Sequence, residues 1–184
     1  MTTEEKSQDR MPPVSAIAAR LQNIDRVWQL HGEFGRLPII ANGDPQPEFA
    51  VLGTVGKLSP DNKGLVANVD LGFRLTATPD PGQDIPNELI HKETGRVILA
   101  YVKASFAITY TLRDGPALTD DDVHAFCSVN AIHNAWPFWR EFITSALTRS
   151  GLHGVPVPPF MIQGGSPPPF VTARAKPQAT PTTK

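Results

Sequence analysis

Leu65-Val-Ala-Asn-Val-Asp-Leu-Gly-Phe-Arg-Leu-Thr-Ala-Thr78 alternates without a break. Leu65, Ala67, Val69, Leu71, Phe73, Leu75 and Ala77 take one parity, while Val66, Asn68, Asp70, Gly72, Arg74, Thr76 and Thr78 take the other. Successive side chains of a strand point to opposite faces, so residues 66–78 belong to a strand with one buried and one wet face. Residues 96–112 repeat the pattern, with Ile98, Ala100, Val102, Ala104, Phe106, Ile108, Tyr110 and Leu112 on one face. The other face is mixed and carries Leu99, Tyr101 and Lys103. Residues 48–58 form a third strand, closed by the turn Ser59-Pro-Asp-Asn-Lys-Gly64. Residues 23–34 form a fourth, with Ile24, Trp28, Leu30 and Phe34 on one parity, after a short helix over 14–21. Strands that follow one another without intervening helices imply an antiparallel sheet.

The period then changes. Thr119 with Asp122 three residues on, and acids at 120, 121 and 122, is a helix-start signature, which opens a helix over 120–132. Pro137 fits the start of a second helix, where its missing N–H costs nothing. From there Phe138, Trp139, Phe142, Ile143, Ala146 and Leu147 make one wide apolar stripe, and Gly151 is a stop signal. Eight of the 19 prolines lie from Pro156 onward, which excludes a helix or an inner strand there. The organisation read from this is a disordered N-terminus over 1–13, one domain over 14–163, and a disordered Pro-rich tail over 164–184. The class is α+β: a four-stranded antiparallel sheet with C-terminal helices on one face.

Composition narrows the function. Among 184 residues, 17 basic and 18 acidic side chains leave a net charge of −1, which argues against a phosphate-backbone binder. One cysteine excludes a disulfide framework and a CxxC zinc site. No run approaches the ~18 apolar residues of a membrane span, and the N-terminus lacks an apolar signal core, so the expected compartment is the cytoplasm. Cys127 follows His124 by three residues, on one helix face, but a small thiol beside Phe126 and Val129 reads as core filling. His31, His91, His133 and His153 are scattered, so no metal-ligand spacing emerges. The glycines form no phosphate cradle. No catalytic residue, cofactor or metal is expected, and no nucleic-acid partner.

The segment Asn134-Ala-Trp-Pro-Phe-Trp-Arg-Glu-Phe-Ile-Thr-Ser-Ala-Leu-Thr-Arg-Ser-Gly151 resembles the long helix of the SecB chaperone family, most specifically at Trp136-Pro-Phe-Trp-Arg-Glu-Phe-Ile-Thr-Ser145. Gly154-Val-Pro-Val-Pro-Pro-Phe-Met161 is similar to the family's loop after that helix. Ile24-Asp-Arg-Val-Trp28, followed by Phe34, resembles its first strand, and the likeness spans residues 23–162. It implies an ATP-independent holdase that keeps unfolded clients in apolar grooves. Those clients are export precursors passed to the SecA motor, or antitoxins guarded by SecB-like chaperones of toxin–antitoxin–chaperone systems. It also implies dimers built on first strands and long helices, and a homotetramer made of two dimers.

Three departures accompany the resemblance. Pro156, Pro158, Pro159 and Pro167–Pro169 replace the family's last helix, and the strongly acidic balance of export members is missing. The carboxylates offered to SecA on the open sheet face are replaced near His31, Gly35, Leu99 and Tyr101. His31, Leu99 and Tyr101 are therefore the expected partner face, of altered chemistry. The expected client site is Leu37, Ile39 and Ile40 with Phe160, Met161 and Ile162, beside Phe49 and Val51 and shielded by Phe170-Val171 of the tail. The expected oligomer interface is Val27 with Trp136, Phe138, Trp139, Phe142, Ile143 and Leu147, because a stripe with two tryptophans exceeds what one sheet covers. The alternative is a non-chaperone adaptor or scaffold on the same fold, binding one folded partner.

Overall fold

The computed structural model describes residues 13–37, 45–82, 84–92, 94–157 and 171–172. A short helix α1 (Pro13–Arg20) leads into four long strands, β1 (Leu21–Arg36), β2 (Gln46–Leu58), β3 (Gly64–Ala77) and β4 (Val97–Leu112). Then come α2 (Asp120–Phe126), a π-helical turn (Cys127–Ala131) and α3 (Ile132–Arg149), and last a two-residue strand β5 (Val171–Thr172). Every strand pair is antiparallel, in the order β1-β4-β3-β2-β5. β1 and β2, neighbours in sequence, thus flank the β3–β4 pair on opposite sides.

The alternation in β3, and in β4 from Ala100 onward, does what it implies. Leu65, Ala67, Val69, Leu71, Phe73 and Leu75 of β3 share one buried face with Ala100, Val102, Ala104, Phe106, Ile108 and Tyr110 of β4. The helices cover that face: Trp139 stands edge-on to Phe106 at 6.5 Å, and Phe126 edge-on to Tyr110 at 5.2 Å. Each large side chain buried in full contributes roughly 1.5–3 kcal/mol of transfer free energy. The opposite sheet face carries no helix among the described residues.

Local chemistry sets the ends of these elements. Thr119 Oγ1 accepts from the Asp122 amide at 3.3 Å while the Asp122 carboxylate accepts from the Thr119 amide at 2.8 Å, the reciprocal cap expected of that sequence. At the far end Gly151 takes φ +77°, and the Leu152 amide reaches back to the Leu147 carbonyl at 2.9 Å. Asn62 at φ 56° closes the β2–β3 turn, where Ser59 Oγ accepts from the Gly64 amide at 2.8 Å. Buried Arg20 donates to the carbonyls of Arg113, Pro116 and Asn62 at 2.8–2.9 Å, tying the α1–β1 junction to two loops.

Three expectations need correction. Pro137 lies inside α3, because helical structure runs from Asp120 to Arg149 through the π turn without a break. Ile24, Trp28, Leu30 and Phe34 do not share one face of β1. Register shifts leave Gln22, Asp25 and Leu30 as extra residues against β4, and each shift reverses the parity. Ile24 and Phe34 therefore stand opposite the inward-facing Tyr110 and Val102, while Trp28 stands opposite Ala107 on the open face. A further bulge, where Leu75 and Thr76 meet Ala100 and Ile98, leaves Leu99 as the extra residue. Val97 is buried and Leu99 packs on the core, whereas Ile98 turns to the open face.

Candidate functional site

The β1 edge carries apolar side chains on both faces, Ile24 and Phe34 on the side that α3 adjoins and Trp28 on the open face. Ile24, Trp28, Leu30 and Phe34 are exposed on β1, and nothing pairs with its outer edge among the described residues. Beside it lies a cleft of about 640 Å³ lined by Gln29, Gly32, Phe34, Phe138, Phe142 and Arg149, among others. Gly32 lets α3 approach, since a Cβ there would lie 2.6 Å from the Phe142 ring. The residues assigned to an interface by sequence divide here. Trp136, Trp139, Ile143 and Leu147 are buried within the chain itself, against the sheet, because α3 turns that side inward. Val27 is half-buried and packs on the same core, opposite Ile108. Phe138, 45% exposed, and half-buried Phe142 remain on the outside.

The other edge of the sheet is built differently. Phe49 of β2 is 2% exposed, with its ring 5.2 Å from Phe73 and 6.1 Å from Trp136. Its side chain belongs to the core, which corrects its assignment as a groove residue; at the edge it offers backbone. That backbone is taken by β5, with Val171 opposite Phe49 and Thr172 opposite Glu48. Val51 is half-buried on the core. A bulge between Val51 and Gly53 sets Leu52 apart, and Leu52 (55% exposed) covers Gly72 on the open face. Val55 is 66% exposed. Neither Leu52 nor Val55 was identified from sequence, because a single apolar residue in a strand gives no sign of which face a bulge will turn it to. Leu37 donates its amide to the Leu99 carbonyl at 2.8 Å and is half-buried. Ile39, Ile40, Phe160, Met161 and Ile162 lie outside the described residues, as does the tail over 164–184 apart from Val171–Thr172.

On the open sheet face a depression of about 440 Å³ is lined by Ala50, Leu52, Gly72, Arg74, Tyr101 and Lys103, with Glu33 among others. The Tyr101 ring lies over Gly35, where a Cβ would come within 2.4 Å of it, and the Lys103 ammonium sits 5.7 Å from the ring centre. Hydrogen bonding to Glu33 raises the Tyr101 pKa, since losing the phenolic proton would set two anions side by side. His31 is exposed on the same face, opposite Ser105. Of the proposed partner face, Tyr101 and His31 are therefore presented and Leu99 is not.

Two titratable groups of the core have pKa values raised by burial. Cys127 is fully buried, and burial pushes its thiol up to about 11, so the nucleophilic thiolate is disfavoured at neutral pH. Burial likewise pushes Tyr110 up to about 12, although its hydroxyl accepts from Asn134 Nδ2 at 3.0 Å. No three metal-ligating side chains come together among the described residues. No helix among them is long and apolar enough to cross a membrane.

This sheet order, with helices on one face, is a SecB-like fold. A solved structure with that fold is the SecB-like chaperone Rv1957 of Mycobacterium tuberculosis, in complex with a ChAD peptide from the Rv1956 HigA1 antitoxin. It aligns with a TM-score of 0.58 at 14% identity, covering 84% of this chain and 96% of that one. No protein-family model and no curated protein matches the sequence.

Proposed function

We propose that this chain is an ATP-independent holdase chaperone of the SecB-like type, acting in the cytoplasm as a homo-oligomer on unfolded or partly folded polypeptides. The observation that carries the reading is a SecB-like fold that leaves large apolar side chains bare along both sheet edges: Trp28, Leu30 and Phe34 on β1, Leu52 and Val55 on β2. Monomeric proteins seldom leave apolar surface in such stretches. The chemistry needed is burial of client side chains at about 25 cal/mol per Å², with no bond made or broken, and no catalytic group or cofactor enters it. The β1 edge and the outward face of α3 serve assembly, the tetramer being the family form.

Of the two client classes, a dedicated antitoxin suits this chain better than export precursors. In place of an acidic docking surface for SecA, the open face carries Tyr101 between Glu33 and Lys103, with His31 and Arg74 nearby. The same features support the second reading, an adaptor for one folded partner, with the open-face depression as its contact.

The deciding experiment adds purified protein, without nucleotide, to several chemically unfolded clients at stoichiometric ratio. Suppressed aggregation of several clients supports a general holdase, and suppression for a single antitoxin supports the dedicated role. Failure with all, joined to stoichiometric capture of one folded partner, overturns the chaperone reading in favour of the adaptor. Ile39, Ile40 and Met161 replaced together by Ser should weaken client binding at unchanged mass and helix content.

A further inference from the structure

The outer edge of β2 has an occupant from the chain itself. Val171 and Thr172 pair antiparallel with Phe49 and Glu48, 14 residues of sequence beyond Val157, the last described residue before them. Beyond Phe49, from Val51 to Leu58, nothing pairs with this edge among the described residues. An unpaired edge is a row of backbone donors and acceptors that accepts any extended segment of suitable register.

The occupant's sequence limits how far it can pair. Val171 and Thr172 are β-branched and suited to a strand, but Pro167, Pro168 and Pro169 precede them by a single residue, Phe170. In an antiparallel register a longer pairing toward Leu58 would set those prolines against Val51 and beyond, and proline has no N–H to give. The segment is thus able to fill the first rungs of the edge and unable to fill the rest. A segment free of proline could use those rungs and continue along the edge, flanked by exposed Leu52 and Val55.

We infer that the β2 edge is a strand-accepting site and that the C-terminal segment at Val171–Thr172 is its resident competitor, displaced when an extended client pairs with the same backbone. The inference rests on the client-binding reading for its purpose, and on the β2–β5 pairing for its geometry. Being tethered, the segment competes as an intramolecular ligand of high effective concentration, so few rungs suffice to discriminate against weak intruders.

The test uses the full chain and a labelled peptide of its own residues 166–176, Ser-Pro-Pro-Pro-Phe-Val-Thr-Ala-Arg-Ala-Lys, as the probe. In a Val171→Pro/Thr172→Pro variant the resident strand is abolished, and the peptide should bind at least tenfold tighter than to the unaltered chain. In a Glu48→Cys/Thr172→Cys variant, whose positions are register partners, oxidation should cross-link the segment and abolish binding, and reduction should restore it. The native Cys127 is buried and does not compete for that disulfide. Hydrogen exchange at the β2 amides adjoining Phe49 should be faster in the proline variant at unchanged helix content. Equal peptide affinity in all three proteins, or no binding to the proline variant, overturns the inference. Aggregation suppression by the same proteins separates the two proposals: if it is absent while the peptide results hold, the edge site stands and the holdase reading falls.

Discussion

The two edges of this sheet face opposite demands. β1 is 16 residues long, bare along its outer side among the described residues, and studded with Trp28, Leu30 and Phe34. β2 keeps its largest side chain, Phe49, inside, lies close under α2 at Gly56, and is capped at one end by β5. On the proposed reading, the β1 edge with Phe34, beside Phe138 and Phe142 of α3, is the contact with a second copy. On the same reading, the β2 edge, paired by β5 over two residues, is where an extended client enters. Natural proteins seldom leave long edges bare, so each must be met by something.

The largest expected effect comes from breaking the first edge. Phe34→Lys combined with Phe138→Lys should reduce the mass by light scattering to that of one chain, because both side chains line the cleft between β1 and α3. Val55→Lys on β2 should leave the mass unchanged, and equal behaviour of the two would erase the distinction between the edges. Next, Trp139→Ala should cost about 3–5 kcal/mol of stability in denaturant titration, the range for emptying a large buried site. Phe138→Ala should cost well under that while weakening assembly, which separates the inward and outward sides of α3.

Gly56→Val probes how tightly the second edge is roofed. A Cβ at that position would lie 2.4 Å from Val123 Cγ1 and 2.5 Å from Cys127 Sγ, so overpacking should cost about 1–3 kcal/mol, with faster hydrogen exchange in β2. The smallest effect is a pH slope. Cys127 and Tyr110 have folded pKa values raised from 9.0 and 10.0 to about 11 and about 12. Above pH 9 the unfolded chain therefore binds fewer protons than the folded one, and stability falls as pH rises toward 12. The stabilisation is complete below pH 9. Cys127→Ala/Tyr110→Phe should flatten the urea midpoint between pH 9 and 11, and an unchanged slope would show that other groups set it.

The parts legible in advance were those ruled by local pattern. Seven apolar residues at every second position in 65–77 define a face whatever lies around them, and the Thr119–Asp122 box and Gly151 act within a few residues of chain. Sequence and structure part where one residue changes parity. Leu30, Leu52 and Leu99 are each the extra residue of a bulge, and a bulge is chosen by how two strands fit together. Pro137 gives no sign of its place because proline at a helix start and proline inside a helix have the same sequence; the surrounding packing carries α3 through it.

The chain's own order of residues determined its class: long strands first, helices after, and an apolar stripe on α3. Periodicity, caps and breakers act over one or two turns, so they need no partner from elsewhere in the chain. Which aromatic of that stripe is core and which is surface was decided only by tertiary structure. Trp139 and Phe138 are neighbours in sequence and both large aromatics, yet Trp139 is buried against Phe106 while Phe138 faces outward. That division follows from which side of α3 meets the sheet, where Trp139 reaches Phe106 and Gly32 lets Phe142 come close. Each is a contact between residues far apart in sequence, and such contacts exist only once the chain has folded.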